Sequence, residues 1–334
     1  MGATAYPTRD FEIDGYTGTI VEAWAPAGGT RELGRELGRL LDPAAAEATL
    51  HWGRNYIYRA RLATRDGELP VAVKQFPNDG WRQRLRRRLS GSKAQKSWRI
   101  ARAMRVAGID TPEPVLLAES ERGDGPSYYV CRHLDGVFEA RYLFRALHEG
   151  RERELFPHVD VGRFLDVLGA TIRRLHDAGF WHRDLSSGNV LVHWPVAGEG
   201  AAPDGEGTGG LRQPRLYLVD LNRARAGGRP ATSRRTRDLC RLMIFRPEHQ
   251  RRFLAAYWGT RPEELGLRWH LYRLYHRAFL AKNETKKRVR QGGRRLKGLV
   301  LSRGTHGHIP AAPAEAELRD RVVWDHLSDQ PHLH

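Results

Sequence analysis

A two-lobed α+β fold, with a small β-rich lobe ahead of a larger and mainly helical one, is what this sequence predicts. Alternating strand patterns crowd residues 49–134, and helical patterns dominate after residue 136. The 334 residues suffice for two lobes or one large core. The expected divisions are a first lobe over 1–135, a second over 136–303 and a tail over 304–334.

Along the chain, residues 30–47 form a helical pattern with Leu33, Leu37, Leu40 and Leu41 on one face. The stretch TLHWGRNYIYRARL, from Thr49 to Leu62, alternates apolar and polar residues around Gly53, Arg54 and Asn55, and so predicts strand, turn and strand. After a second turn at Arg65–Gly67, LPVAVKQF is a third strand and carries Lys74. Helical spacing then runs from Trp81 to about Ala107, where Gly108, Pro112 and Pro114 stop it. PVLLAES and SYYVCRHL predict a hairpin around Gly123 and Gly125. The segment from Val196 to Pro214 holds six glycines and reads as a loop inserted at a hairpin tip.

Apolar residues make up 40% of the chain and charged residues 28%, the balance of a globular protein rather than a disordered one. No apolar run approaches the roughly 18 residues of a membrane span. The N-terminus MGATAYPTRDFEIDGY has no apolar signal region, and Tyr6 stands where a myristoylation motif needs Ser or Thr. Cys131 and Cys240 lack metal-type spacing and fit a reducing cytoplasm.

Four pieces of sequence bear on chemistry, in a fixed order. They are Gly53-Arg54-Asn55 between two strands, Lys74 in VAVK on the next, HRDLSSGN with Asp184 and Asn189, and LYLVDLNRAR with Asp220 ending an apolar strand. Phosphoryl transfer from ATP needs such a set. A cation holds the α- and β-phosphates, a carboxylate orients or deprotonates the acceptor hydroxyl, and an Asn and a second carboxylate hold Mg²⁺ against phosphate oxygens. Each piece alone is commonplace: an edge strand ending in Lys, a polar turn, a strand ending in Asp. The joint order is specific.

On these motifs the chain resembles the protein-kinase-like superfamily. More narrowly, WGRNYIYRA, SWRIARAMRVAGIDTPEPV and VDLNRAR resemble the bacterial lipopolysaccharide kinases that act on Kdo or heptose of the inner core, over roughly residues 45–260. The resemblance implies a two-lobed protein-kinase-like fold, ATP and Mg²⁺ as cofactors, and these roles. Asp184 is the catalytic base or acceptor-orienting residue, with His182 and Arg183 as the scaffold of its catalytic loop. Asn189 and Asp220 bind Mg²⁺. Lys74 contacts the ATP phosphates, Gly53, Arg54 and Asn55 cover them, and Arg132, His133 and Leu134 form the adenine-contacting hinge. Asp238 braces the catalytic loop from a helix N-terminus.

Three departures from the protein-kinase pattern stand out. The nucleotide loop has one glycine instead of three, so its backbone is less free to approach phosphate. No Glu occurs between Pro77 and Thr111 to pair with Lys74, and Ser97 lies where one would be sought, which leaves Asp220 or phosphate to hold the lysine. Ser186 replaces the Lys that protein kinases carry two residues after the Asp, which tilts the acceptor from protein toward sugar.

The formal net charge of +17 calls for an anionic partner. Residues Arg82 to Arg105 include ten Lys/Arg and no acid, and WRQRLRRRL places Trp81, Leu85 and Leu89 at helical spacing among arginines, a pattern suited to peripheral contact with an anionic membrane surface. Arg223 and Arg225, with Arg234, Arg235 and Arg237 beyond them, are candidates for holding an anionic glycolipid or sugar acceptor. No nucleic-acid recognition module is present, so no nucleic-acid partner is expected. The expected function is therefore ATP-dependent phosphorylation of a Kdo or heptose hydroxyl, in the cytoplasm at the inner membrane. The rivals are an aminoglycoside-type small-molecule phosphotransferase, a protein kinase and a pseudokinase scaffold.

Overall fold

The computed structural model describes residues 6–52, 55–77, 91–123, 125–194 and 213–297. The basic stretch around Trp81, Leu85 and Leu89, the glycine-rich insertion and the tail after residue 304 lie outside these residues.

Seven antiparallel strands make the first sheet: β1 (Thr8–Ile13), β2 (Tyr16–Val21), β3 (Ala48–Trp52), β4 (Tyr56–Thr64), β5 (Gly67–Phe76), β6 (Pro114–Ser120) and β7 (Ser127–Arg132). Their order is β1-β2-β6-β7-β5-β4-β3. The strands expected at residues 49–76 and 114–134 are present. The β1–β2 hairpin is an addition to the expected elements. Its two turn residues, Asp14 (φ 51°) and Gly15 (φ 76°), both have positive φ, as a tight two-residue hairpin turn requires.

Strand alternation assigns this sheet two buried faces. Tyr56, Tyr58, Ala60 and Leu62 of β4 point one way and join Val71 and Val73 of β5 in a core closed by helix α1 (Gly29–Leu40) through Leu33, Leu37 and Leu40. The Tyr58 hydroxyl donates to the Leu40 carbonyl at 2.8 Å. The helix expected over 30–47 ends at Leu40, and Pro43 opens a separate 3₁₀ turn over Pro43–Ala45. Proline cannot supply the backbone donor that continuing the helix would need.

The opposite face carries Ile57 and Lys74, which are cross-strand partners. Over this side of the sheet lies helix α2 (Lys93–Val106), buried through Ala94, Trp98, Ala101 and Met104. Ser92 and Gln95 form its capping box, and Gly108 (φ 70°) turns the chain beyond its end. Phe76, Leu117 and Tyr129 of the sheet share a core with α2 and with the helices that follow.

The second part is built on α3 (Ala140–Glu149), α4 (Glu152–Leu155), α5 (Val161–Asp177), α6 (Thr232–Leu239), α7 (Pro247–Trp258) and α8 (Leu267–Lys297). Helix α5 is central: Phe164, Leu165, Leu168 and Ile172 are fully buried. It packs on α7 so closely that a Cβ at Gly169 would come within 2.7 Å of the Phe253 carbonyl. Three short strands, β8 (Val137–Glu139), β10 (Val190–His193) and β11 (Arg215–Leu218), form a sheet in the order β11-β10-β8. A further pair joins β9 (Phe180–Trp181) to β12 (Arg225–Ala226). The result is an α+β fold with a β-rich N-terminal part and a helical C-terminal part, as the sequence predicts.

Candidate active site

Residues 182–189 run from β9 to β10, and their shape is set by contacts from far along the chain. The Asp238 carboxylate, fully buried, accepts the backbone N–H of His182 at 2.9 Å and that of Arg183 at 3.0 Å. Arg183 sits at φ 67°, a left-handed conformation rare for a side-chain-bearing residue, and these bonds hold it there. Asp238 thus braces the loop, but it is the seventh residue of the eight-residue helix α6. The expectation of a helix N-terminus is corrected: the oxygens satisfying these donors belong to a side chain near the helix C-terminus.

The His182 ring Nε2 lies 3.0 Å from the Val219 carbonyl and donates to it, tying the loop to the strand that ends at Asp220. Its Nδ1 is buried and, among the described residues, has no hydrogen-bond partner. Burial pushes the imidazole below its ordinary value of 6.5, against the pull of Asp238 and the Val219 carbonyl. The neutral ring is the folded form, and the unfolded chain binds the proton more readily. Stability from this group is complete above about pH 6.5 and is lost as pH falls below it. In urea melts, the drop in stability from pH 7.5 to pH 5 is expected to be smaller in His182→Gln than in the wild type. An equal drop in both would show that another group carries it.

Within the loop, the Asp184 carbonyl accepts from Ser186 N–H and from Asn189 Nδ2, both at 2.7 Å. Asn189 therefore holds the loop with its amide nitrogen and keeps Oδ1 as an acceptor. The Asp184 carboxylate meets Arg223 at 3.0 Å and Arg241 at 3.3 Å.

Asp220 follows β11 with φ 60° and is, like Arg183, a left-handed non-glycine residue. Its Oδ1 accepts from Lys74 Nζ at 2.5 Å and from Asn222 Nδ2 at 2.6 Å. Burial alone would raise this carboxyl, but the Lys74 ammonium overrides it and holds Asp220 below the usual carboxylate range. The lysine that lacks a helix Glu is paired with Asp220, one of the two partners open to it from sequence. Ser97 lines the same cavity, and its hydroxyl donates to the Lys93 carbonyl.

Lys74, Asn189 and Asp220 open onto one cavity of about 320 Å³ between the seven-stranded sheet and the helical part. That is enough for a small-molecule site. Asn55, Arg132, His133 and Leu134 line it too, so the expected hinge and one nucleotide-loop residue face Lys74. Gly53 and Arg54 lie outside the described residues. His182 is buried and Arg183 turns away, its guanidinium 5.2 Å from the Trp181 ring centre. Sequence reasoning missed the cavity walls supplied by Thr111, Cys131, Phe138 and Glu139. Burial pushes the Cys131 thiol up to about 12, so it is an inert wall and not a nucleophile.

The donor set fits a hard divalent cation. Asn189 and Asp220 both line the cavity, among the described residues no hydrogen bond reaches Asn189 Oδ1 or Asp220 Oδ2, and Mg²⁺ ordinarily takes one or two protein oxygens together with water and phosphate. Among the described residues no cluster of three His, Cys, Asp or Glu forms an all-protein metal cage.

The arginines proposed for acceptor binding separate in three dimensions. Arg223 and Arg237 line a second cavity beside Asp184, together with Arg183 and Arg241, which the sequence reading did not assign to it. Arg225 is exposed on β12, Arg234 stacks against Trp181, and Arg235 is buried against Asp177 and the Pro230 carbonyl. Arg241 lies one helical turn beyond Arg237, and that spacing was the available signal for it.

Comparisons with known proteins bear on the same region. Residues 72–257 match the model of the lipopolysaccharide kinase (Kdo/WaaP) family. No curated protein matches the chain. A solved structure, described as WaaP in complex with acyl carrier protein, is similar at 20% identity and a TM-score of 0.49, covering 76% of this chain and 97% of that one.

Proposed function

The chain belongs to the lipopolysaccharide kinase (Kdo/WaaP) family, and from that premise we propose that it transfers the γ-phosphoryl group of ATP to a Kdo or heptose hydroxyl of the lipopolysaccharide inner core. The observation that carries this reading is the convergence of Lys74, Asn189 and Asp220 on one cavity, with Asp184 on the loop that Asn189 closes.

The chemistry follows from those groups. Lys74 neutralises phosphate oxygens, and the hinge at Arg132–Leu134 seats the base. Bound Mg²⁺, held by Asn189 and Asp220, would supply charge stabilisation to the phosphates. Asp184 orients the acceptor hydroxyl and takes its proton as the new P–O bond forms. The bond from the γ-phosphorus to the bridging oxygen breaks, and ADP leaves with that electron pair. Arg223 and Arg241 hold the Asp184 carboxylate in position. Among the described residues no helix is long and apolar enough to cross a membrane. A lipid-linked acceptor would thus be met at a membrane surface, which the basic composition favours.

The test is phosphotransfer from γ-labelled ATP with Mg²⁺ to Kdo-lipid A, heptosylated core, an aminoglycoside and a generic protein. Label on one of the two core acceptors is expected. Label confined to the aminoglycoside or the protein would overturn the assignment, and the ratio of the core acceptors decides between Kdo and heptose.

A further inference from the structure

Four guanidinium groups converge beside Asp184. Arg183, Arg223, Arg237 and Arg241 line a cavity of about 380 Å³ with Trp181 and Asp238. They come from the catalytic loop, the turn after Asp220, helix α6 and the turn that follows it. Among the described residues only two carboxylates oppose them. Asp238 is occupied by the backbone N–H groups of the loop, and Asp184 is shared between Arg223 and Arg241. Among the described residues neither Arg183 nor Arg237 has a carboxylate partner; each rests against an aromatic ring, Trp181 and Tyr275.

Arg237 and Arg241 are also placed one turn apart, where like charges repel. Arg183 reaches the cavity from a strained backbone position. An arrangement that gathers like charge at such cost is offset when an oxyanion joins it, and planar guanidinium groups bind carboxylate and phosphate in two-point fashion.

We infer that this cavity is the subsite for an oxyanion carried by the acceptor itself, a carboxylate or a phosphate on the sugar residue that presents the hydroxyl or on its neighbour. Arg223 and Arg241 each touch both the cavity and the Asp184 carboxylate, so the bound anion lies one guanidinium width from the base. Neutral sugars are therefore poor acceptors, because nothing compensates Arg183 and Arg237. The inference rests on reading the Asp184 loop as a phosphotransfer site.

The experiment measures binding to the full chain by calorimetry without nucleotide, using inorganic phosphate for one source of the anion, glucuronate for the other and glucose as the neutral control. Arg237→Gln is expected to weaken binding of phosphate, glucuronate or both at least tenfold. Arg251→Gln, which removes the same charge from helix α7, leaves it unchanged, and so does Lys74→Met in the nucleotide cavity. Glucose shows no binding. With the sugar acceptor that wild type phosphorylates, Arg237→Gln is expected to raise the acceptor KM at least tenfold and to leave the KM for ATP unchanged. Arg237 is exposed, so the variant should fold, and its thermal melt checks this. Anion binding by Arg237→Gln equal to wild type, or binding abolished by Lys74→Met, overturns the subsite. A wild type that binds anions through Arg237 yet phosphorylates no sugar removes the kinase reading while leaving the anion site in place.

Discussion

Asp184→Asn is expected to lower kcat for phosphotransfer by about 10²- to 10⁴-fold, the range that a positioned proton acceptor contributes. The substitution keeps the side chain's size but removes its charge and its capacity to take the acceptor proton. Lys74, Asn189 and Asp220 are untouched, so the KM for ATP should stay within about twofold of wild type, with kcat and kcat/KM for the acceptor falling together. Stability should barely move. Asp184 contacts two arginines, but Arg223 is 55% exposed and Arg241 34% exposed. Ion pairs of that kind contribute only about 0–1 kcal/mol. Steady-state kinetics with a thermal melt of the same preparation makes the check. A variant that retains kcat would show that Asp184 only positions the loop, and a large fall in melting temperature would make lost activity a folding effect.

Much of this site was legible because its members lie at strand ends and in one compact loop. Lys74 is fixed by period-two alternation on β5, and Asp184 and Asn189 by their five-residue separation within a single turn. The side-chain amide of Asn189 closing on the Asp184 carbonyl at 2.7 Å is the physical reason for that spacing. Asp220 was legible as the polar end of an apolar strand. The absence of a Glu in α2 led correctly to Asp220 as one of two possible partners of Lys74. What sequence spacing could not encode were contacts between distant segments. The Asp238 carboxylate reaches backbone groups 55 and 56 residues away, and nothing local in TRDLCRL says which end of its helix it occupies. The arginine cavity assembles three separate segments, so a reading by proximity in sequence grouped Arg223 with Arg225 when space groups it with Arg241. The β1–β2 hairpin was a different kind of omission: the Asp14-Gly15 turn is a strong local signal that was present and unused.

Asp238→Ala should be the most destabilising single change at the site. It removes the acceptor for two donors, the buried N–H of His182 and the partly buried N–H of Arg183, and offers no replacement. An orphaned buried group costs about 1–3 kcal/mol, and the partly buried Arg183 N–H adds to the loss from His182, so the sum is about 2–4 kcal/mol. That is a large share of the roughly 5–15 kcal/mol that holds an ordinary domain together. Asp238→Asn should rescue only part of the loss, because its amide keeps one acceptor oxygen and turns a donor toward a donor. Activity should fall in both variants even where protein remains folded. Arg183 stays at φ 67° because Asp238 holds its N–H, and once that bond is gone the backbone relaxes toward a commoner conformation and carries Asp184, the next residue, with it. Urea denaturation measures the first effect and kcat at a temperature well below unfolding measures the second. If Asp238→Ala unfolds at the wild-type urea midpoint, the carboxylate is no brace, and the left-handed turn at Arg183 must be held by the His182 ring and its bond to Val219 alone.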